Sequence, residues 1–101
     1  MPKAILYAQS APASPEREAE FNEWYDSTHA PEILALPGFV SCRRFKCDNP
    51  PEGVLPYVAI YEIESDDPQA TVGGIMTAIR AGQLNLSDSI AAGAMVTYTE
   101  I

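Results

Sequence analysis

This sequence is poor in the residues on which much small-protein chemistry relies. It has one histidine, His29, and two cysteines, Cys42 and Cys47. With a single imidazole and no CxxC pair a zinc site is not expected, because zinc takes three or four nitrogen, sulfur or carboxylate ligands from the protein. The cysteines lie five residues apart in one predicted strand, which turns their side chains to opposite faces, so both read as reduced, small apolar residues rather than as a disulfide. Basic residues are scarce too. Six Lys and Arg stand against 14 Asp and Glu, a formal charge of −8, and such a chain repels phosphate backbones and anionic membrane surfaces. Nucleic acid is therefore not an expected partner. Arg43, Arg44 and Lys46 are the one basic group, too small for a basic tract. The opening Met1-Pro2-Lys3-Ala4-Ile5-Leu6-Tyr7 meets polar Gln9-Ser10 before a signal-peptide core or membrane span is complete. The expectation is a soluble, cytoplasmic protein.

What is present is enough for one domain over residues 1–101. A hydrophobic content of 47% supplies a core, but in a chain this short it does not also supply a deep private pocket. A second subunit is expected to complete any cavity.

Lys3 to Gln9 is a short apolar run that stops at Ser10-Ala11-Pro12-Ala13-Ser14-Pro15, so it reads as a first strand and a loop. Ser14 then stands where a helix N-cap belongs, with Pro15 at the first helical position and Glu16 and Glu18 in the first turn. Phe21, Tyr25 and His29 follow at i, i+4 and i+8 on one stripe, beside Trp24. Pro31 lacks an amide donor and clashes with the Ser27 carbonyl, so a kink or restart is predicted there, with a further helical turn from Pro31 to Leu36. Phe39 to Cys47 reads as strand two, Asp48 to Gly53 as an exposed turn, and Tyr57 to Ile63 as the strongest strand of the chain. A second helix is predicted from Asp66-Asp67-Pro68 to about Arg80, with Val72, Ile75, Met76 and Ile79 at helical spacing and Gly73-Gly74 weakening it. Residues 81–93 show no clear period and read as a loop or a short helix over the site. Ala94 to Glu100 closes the chain as strand four.

The order βαββαβ is that of an α+β, ferredoxin-like unit: a four-stranded antiparallel sheet with both helices on one face. The other face carries Tyr, Val, Ile and Phe, and such a patch is not left in water. Face-to-face pairing into a homodimer is the simplest cover.

The run Glu20-Phe21-Asn22-Glu23-Trp24-Tyr25-Asp26-Ser27-Thr28-His29-Ala30-Pro31, followed by Leu36-Pro37-Gly38-Phe39 and Arg43-Arg44-Phe45, resembles the EthD-like branch of the dimeric α+β barrel superfamily. The pattern is F-x-x-W-Y-x-x-x-H-x-P, a P-G-F turn and R-R-[FY]; it covers roughly residues 1 to 65, and the remainder matches in element order. The resemblance implies a homodimer whose two sheets form an eight-stranded barrel, with a pocket in each subunit between the sheet and the first helix. It further implies a small cofactor-free enzyme that cyclises, decarboxylates, dehydrates, isomerises or cleaves an aromatic, polyketide-like or other hydrophobic carbonyl compound. The helix histidine of the family falls on His29 and its aromatic neighbours on Trp24 and Tyr25. The second histidine of some relatives has no counterpart, and fold does not fix the reaction.

His29 is the natural centre of chemistry near neutral pH. Read without the family, it is first a structural residue that caps the freed Ser27 carbonyl or fills a gap at the kink, since most lone histidines do no chemistry; the resemblance reverses that order. As an acid or base it would draw on Asp26 or Glu23 to set its tautomer. Phe21, Trp24 and Tyr25 are either core and dimer contacts or the wall of a pocket. Among Tyr7, Tyr57, Tyr61 and Tyr98, a sheet tyrosine would offer a phenol to a developing oxyanion; strand facing decides which, and we take Tyr61 as the catalytic candidate with Tyr7 and Tyr98 as substrate contacts. Arg43 and Arg44 alternate sides. One is expected to pair with a carboxylate, Glu62 being the nearest in strand order, or else Arg43 clamps a substrate carboxylate or enolate. The expected ligand is a small hydrophobic carbonyl or phenolic compound, with no metal or cofactor. The competing expectation is a dimer of the stress-response kind that holds an apolar ligand without turning it over. A haem-dependent variant would require His29 as axial ligand.

Overall fold

In a computed structural model, which describes residues 3–101, four strands form one antiparallel sheet in the order β2-β3-β1-β4. These are β1 (Lys3–Pro12), β2 (Phe39–Lys46), β3 (Tyr57–Glu64) and β4 (Ile90–Thr99). A 3₁₀ turn (Pro15–Arg17), helix α1 (Glu18–Trp24), a π turn (Tyr25–His29) and helix α2 (Ala30–Leu34) join β1 to β2, and helix α3 (Pro68–Arg80) joins β3 to β4. This is the ferredoxin-like α+β arrangement.

Strand alternation sorts the side chains into two faces. Ala4 and Leu6 of β1 and Tyr57, Ala59, Tyr61 and Ile63 of β3 are buried beneath the helices, where Phe21, Tyr25, Ile33 and Ile75 meet them. Among the described residues no helix covers the opposite face. There Tyr7 lies opposite Ile60 and Val96, and Ile5 opposite Glu62 and Tyr98. Phe45, Val96 and Tyr98 on this face are exposed.

Four details depart from the sequence reading. First, β1 runs on past Gln9, because Ser10, Ala11 and Pro12 pair with Ala92, Ala91 and Ile90 beyond a register shift; strand four accordingly begins at Ile90 rather than Ala94. Gly93 lies at this point, and a β-carbon there would run into the side chain of Leu55 and the Gln9 backbone. Second, Ser14 and Pro15 do open the helical segment, but as a 3₁₀ turn, and the Ser14 side chain makes no cap bond. Third, the interruption expected at Pro31 comes one turn earlier, as a π turn, and a new helix starts at Ala30. The Ala30 amide bonds back five residues to the Tyr25 carbonyl, and the wider turn lets Pro31 fall in the first turn of α2, where its missing amide needs no partner. The Ser27 hydroxyl donates to the Glu23 carbonyl at 2.6 Å. Fourth, Met76 of α3 is half exposed and Ala78 takes its place in the core. The Asp67 side chain caps α3 by accepting from the Ala70 amide. Residues 81–89 contain no helix.

Candidate active site

The π turn places His29 against two aromatic rings. Its imidazole stacks on Trp24, with ring centres 4.6 Å apart and planes at 21°. It meets Tyr25 edge-on at 4.8 Å. Nδ1 of His29 is buried and has no hydrogen-bond partner, so the expected tautomer-setting bond to Asp26 or Glu23 is not at this nitrogen. Burial holds the His29 pKa below its ordinary value, as does the Arg44 charge, and Glu32 opposes the shift. The ring is therefore neutral at pH 7, as a base must be before it acts.

Beneath His29 lies a buried pair of phenols. The Tyr61 hydroxyl donates to that of Tyr25 at 3.1 Å. Burial raises both pKa values, that of Tyr61 very far, so both remain protonated donors throughout the physiological range. Cys42 faces the same pair from β2, opposite Tyr61 in register, and burial pushes its thiol pKa up. A raised pKa disfavours the thiolate, so Cys42 is a poor nucleophile.

Arg44 closes the other side. Its guanidinium lies 4.2 Å from the Tyr25 ring centre, donates to Asp26 at 2.7 Å and to Asn22 at 2.9 Å, and is only 15% exposed. The arginine does take a carboxylate, but from the neighbouring helical segment rather than from the next strand: Glu62 lies on the open face and accepts from Ser41 at 2.7 Å. A polar chain continues from Asn22, which donates to the Tyr57 hydroxyl at 3.1 Å. Tyr57 in turn donates to Glu18 at 2.5 Å, and Glu18 pairs with Lys46 at 2.9 Å. Tyr57 and Lys46 hold the Glu18 carboxyl below the usual range.

The eight residues singled out from sequence thus divide. His29, Trp24, Tyr25, Phe21 and Tyr61 are brought together between the sheet and the first helical segment. Tyr7 and Tyr98 meet edge-to-face at 6.3 Å on the open face, where Arg43 lies near Phe45. The two groups therefore lie on opposite faces of the sheet. Sequence reasoning expected an arginine–carboxylate pair but passed over Glu32 and Asn85. Glu32 is detectable as the acidic residue one turn beyond His29; Asn85 is not, since only the fold brings it there.

Two cavities lie beside this cluster. One of about 290 Å³ is walled by Asp26, Ala30, Pro31, Leu34, Cys42 and Arg44. A larger cleft, about 970 Å³, runs instead along α3 and the Pro37-Gly38 turn, with Thr71, Thr77 and Gln83 in its wall. Size does not decide the candidate: the larger cleft contains neither an imidazole nor a phenol. Neither includes His29 or Tyr61.

Neither a protein-family model nor a curated protein sequence matches this chain. Solved structures do match in shape. A proposed monooxygenase from Shewanella loihica PV-4 superposes with a TM-score of 0.63 at 14% identity, covering 100% of this chain and 97% of its own. HapK from Hahella chejuensis gives 0.62 at 12% identity, covering 97% and 92%. An ethyl tert-butyl ether D (EthD) family protein from Bacillus halodurans C-125 gives 0.53 at 18% identity, covering 100% of both chains. The chain therefore has the ferredoxin-like α+β fold of these proteins.

Proposed function

We propose that this chain is a small acid/base enzyme of the EthD-like kind, a homodimer that acts on a hydrophobic aromatic, polyketide-like or other carbonyl compound. The observation that carries the reading is the neutral His29 imidazole whose buried Nδ1 has no partner. An unpaired buried polar atom costs about 1–3 kcal/mol, and π turns are frequent at functional sites. In the reaction, a nitrogen of His29 takes the proton from carbon next to the carbonyl, and the C–H electron pair moves into the enolate. The Tyr25 hydroxyl, which accepts from Tyr61 and keeps its own proton to donate, holds the developing oxyanion. The imidazolium returns the proton at the end. Lyase, isomerase, cyclase and decarboxylase outcomes all pass through such an enolate, and imidazole and phenol suffice for it.

Turnover of aromatic ketones, lactones and phenolic acids, followed by mass spectrometry, tests this. The reading expects one class to be converted, and His29→Asn to slow conversion by about 100-fold or more with ligand affinity retained. Conversion at the same rate by His29→Asn would overturn it. A second reading, a dimer that holds an apolar ligand without converting it, is favoured by the burial of both phenols, Tyr25 and Tyr61 being only 3% and 2% exposed. It predicts binding without conversion, unchanged in His29→Asn.

A further inference from the structure

The cluster around His29 lies under a chain segment that is fastened at its tip. Residues 81–89 leave α3 through Gly82, whose φ of +71° suits glycine. The Gly82 and Gln83 amides close the helix end by bonding to the Ile79 and Ala78 carbonyls. At its far end the segment is anchored just past β1 by the Ala13 amide, which donates to the Ser89 carbonyl at 2.7 Å, and by Arg17, which donates to the Asp88 carbonyl at 3.1 Å and to its carboxylate at 2.6 Å. Between these anchors Asn85 makes three bonds. Its amide and its Nδ2 both donate to the Glu32 carboxylate, at 2.8 and 2.6 Å, and its carbonyl accepts from Trp24 Nε1 at 2.8 Å. Trp24 is the ring on which His29 stacks, and Glu32 lies one helical turn beyond His29. The three bonds thus grip the two residues that bracket the imidazole.

From this geometry we infer that residues 81–89 are a hinged lid latched by Asn85, and that release of the latch is what lets a small carbonyl or phenolic ligand reach His29. The purpose assigned to the lid rests on the acid/base reading of His29; its motion does not. The latch suits a reversible closure. Asn85 is exposed, so water replaces its bonds on opening. Leu84 alone of residues 83–86 packs partly against the core, and Leu86 is exposed, so little apolar surface resists release.

The chain has one tryptophan and one histidine, and both lie under the lid, so two site-specific readouts are available. In the unmodified protein, the Asn85 amide should exchange with deuterium through an opening far smaller than global unfolding. Asn85→Ala, which removes the side-chain bond to Glu32, should speed exchange of that amide by about tenfold. It should also increase acrylamide quenching of Trp24 and move the His29 pKa up towards its ordinary value. The inference is overturned if the Asn85 amide exchanges only with global unfolding. It is equally overturned if Asn85→Ala leaves Trp24 quenching and the His29 titration as they were. Should that variant fail to fold, exchange in the unmodified protein decides alone. A lid that opens while no carbonyl or phenolic compound perturbs His29 would support the motion and count against the enzymatic reading, so the two failures are distinguishable.

Discussion

Replacing His29 with Phe is expected to make the protein more stable, although it removes the proposed catalytic group. The ring in either form stacks on Trp24 at 4.6 Å and meets Tyr25 edge-on at 4.8 Å, so the aromatic contacts persist. What is lost is Nδ1, buried without a partner, whose removal returns about 1–3 kcal/mol. Against this stands the larger phenyl ring, and overpacking costs about 1–3 kcal/mol in a closed core; His29 is only partly buried, which puts the cost at the low end. The net expectation is a gain of about 1 kcal/mol, or about 4–8 °C in Tm for a domain of this size. Urea unfolding followed by Trp24 fluorescence and far-UV circular dichroism measures it. The pH dependence supplies a second arm. Because burial lowers the folded-state pKa of His29, the unfolded chain binds more protons between that pKa and about 6.5. Stability from this group is therefore full above about pH 6.5 and is lost as pH falls towards the folded pKa. His29→Phe should abolish that slope. A loss of 1 kcal/mol or more at pH 7.5 would refute the reasoning, since it would mean that the imidazole makes a stabilising bond in solution.

Arg44→Met should cost about 2 kcal/mol, through lost stacking on Tyr25 and lost bonds to Asp26 and Asn22, whereas Asp26→Asn should cost under about 1 kcal/mol because Asp26 is 68% exposed; equal costs in denaturant titrations would contradict that asymmetry. Gly38→Ala should destabilise by about 2 kcal/mol, since φ is +91° and the added carbon would lie 2.7 Å from Thr71 Cγ2. Thr71→Ala in the same chain should recover only the steric part, and a thermal melt that shows full recovery would rule out backbone strain. If the open sheet face pairs with a second copy, Tyr98→Glu should return the sedimenting mass to the 11.0 kDa of one chain, and an unmodified protein already at that mass would contradict the homodimer.

Legibility from sequence followed the range of the interactions. Elements fixed by local pattern were readable: the period-two run of Tyr57 to Ile63, the Asp67-Pro68 start of α3, and the Phe21, Tyr25, His29 stripe. Boundaries that depend on long-range pairing were not. Ser10 to Pro12 carries loop chemistry, and only the partner residues Ile90 to Ala92 draw it into the sheet. Pro31 signalled an interrupted helix correctly, but a proline cannot report whether a chain breaks or widens by one residue into a π turn. The site was half legible for the same reason. His29, Tyr25 and Trp24 lie within one short segment, and Tyr61 follows from strand facing. Asn85 reaches Glu32 across 53 residues, and no local pattern announces such a bond. Tyr7, Arg43 and Tyr98 lie on the opposite sheet face from His29, a matter of strand parity that the absolute facing of β1, β2 and β4 had to settle.

An NMR pH titration of the single imidazole, alone and with aromatic ketones, lactones and phenolic acids, tests the central claim most directly. The account predicts a ring that titrates below its ordinary pKa and whose signal moves when one of these compound classes is added. A ring that titrates at its ordinary value and ignores every compound would contradict it, and would leave His29 as a packing residue at the π turn.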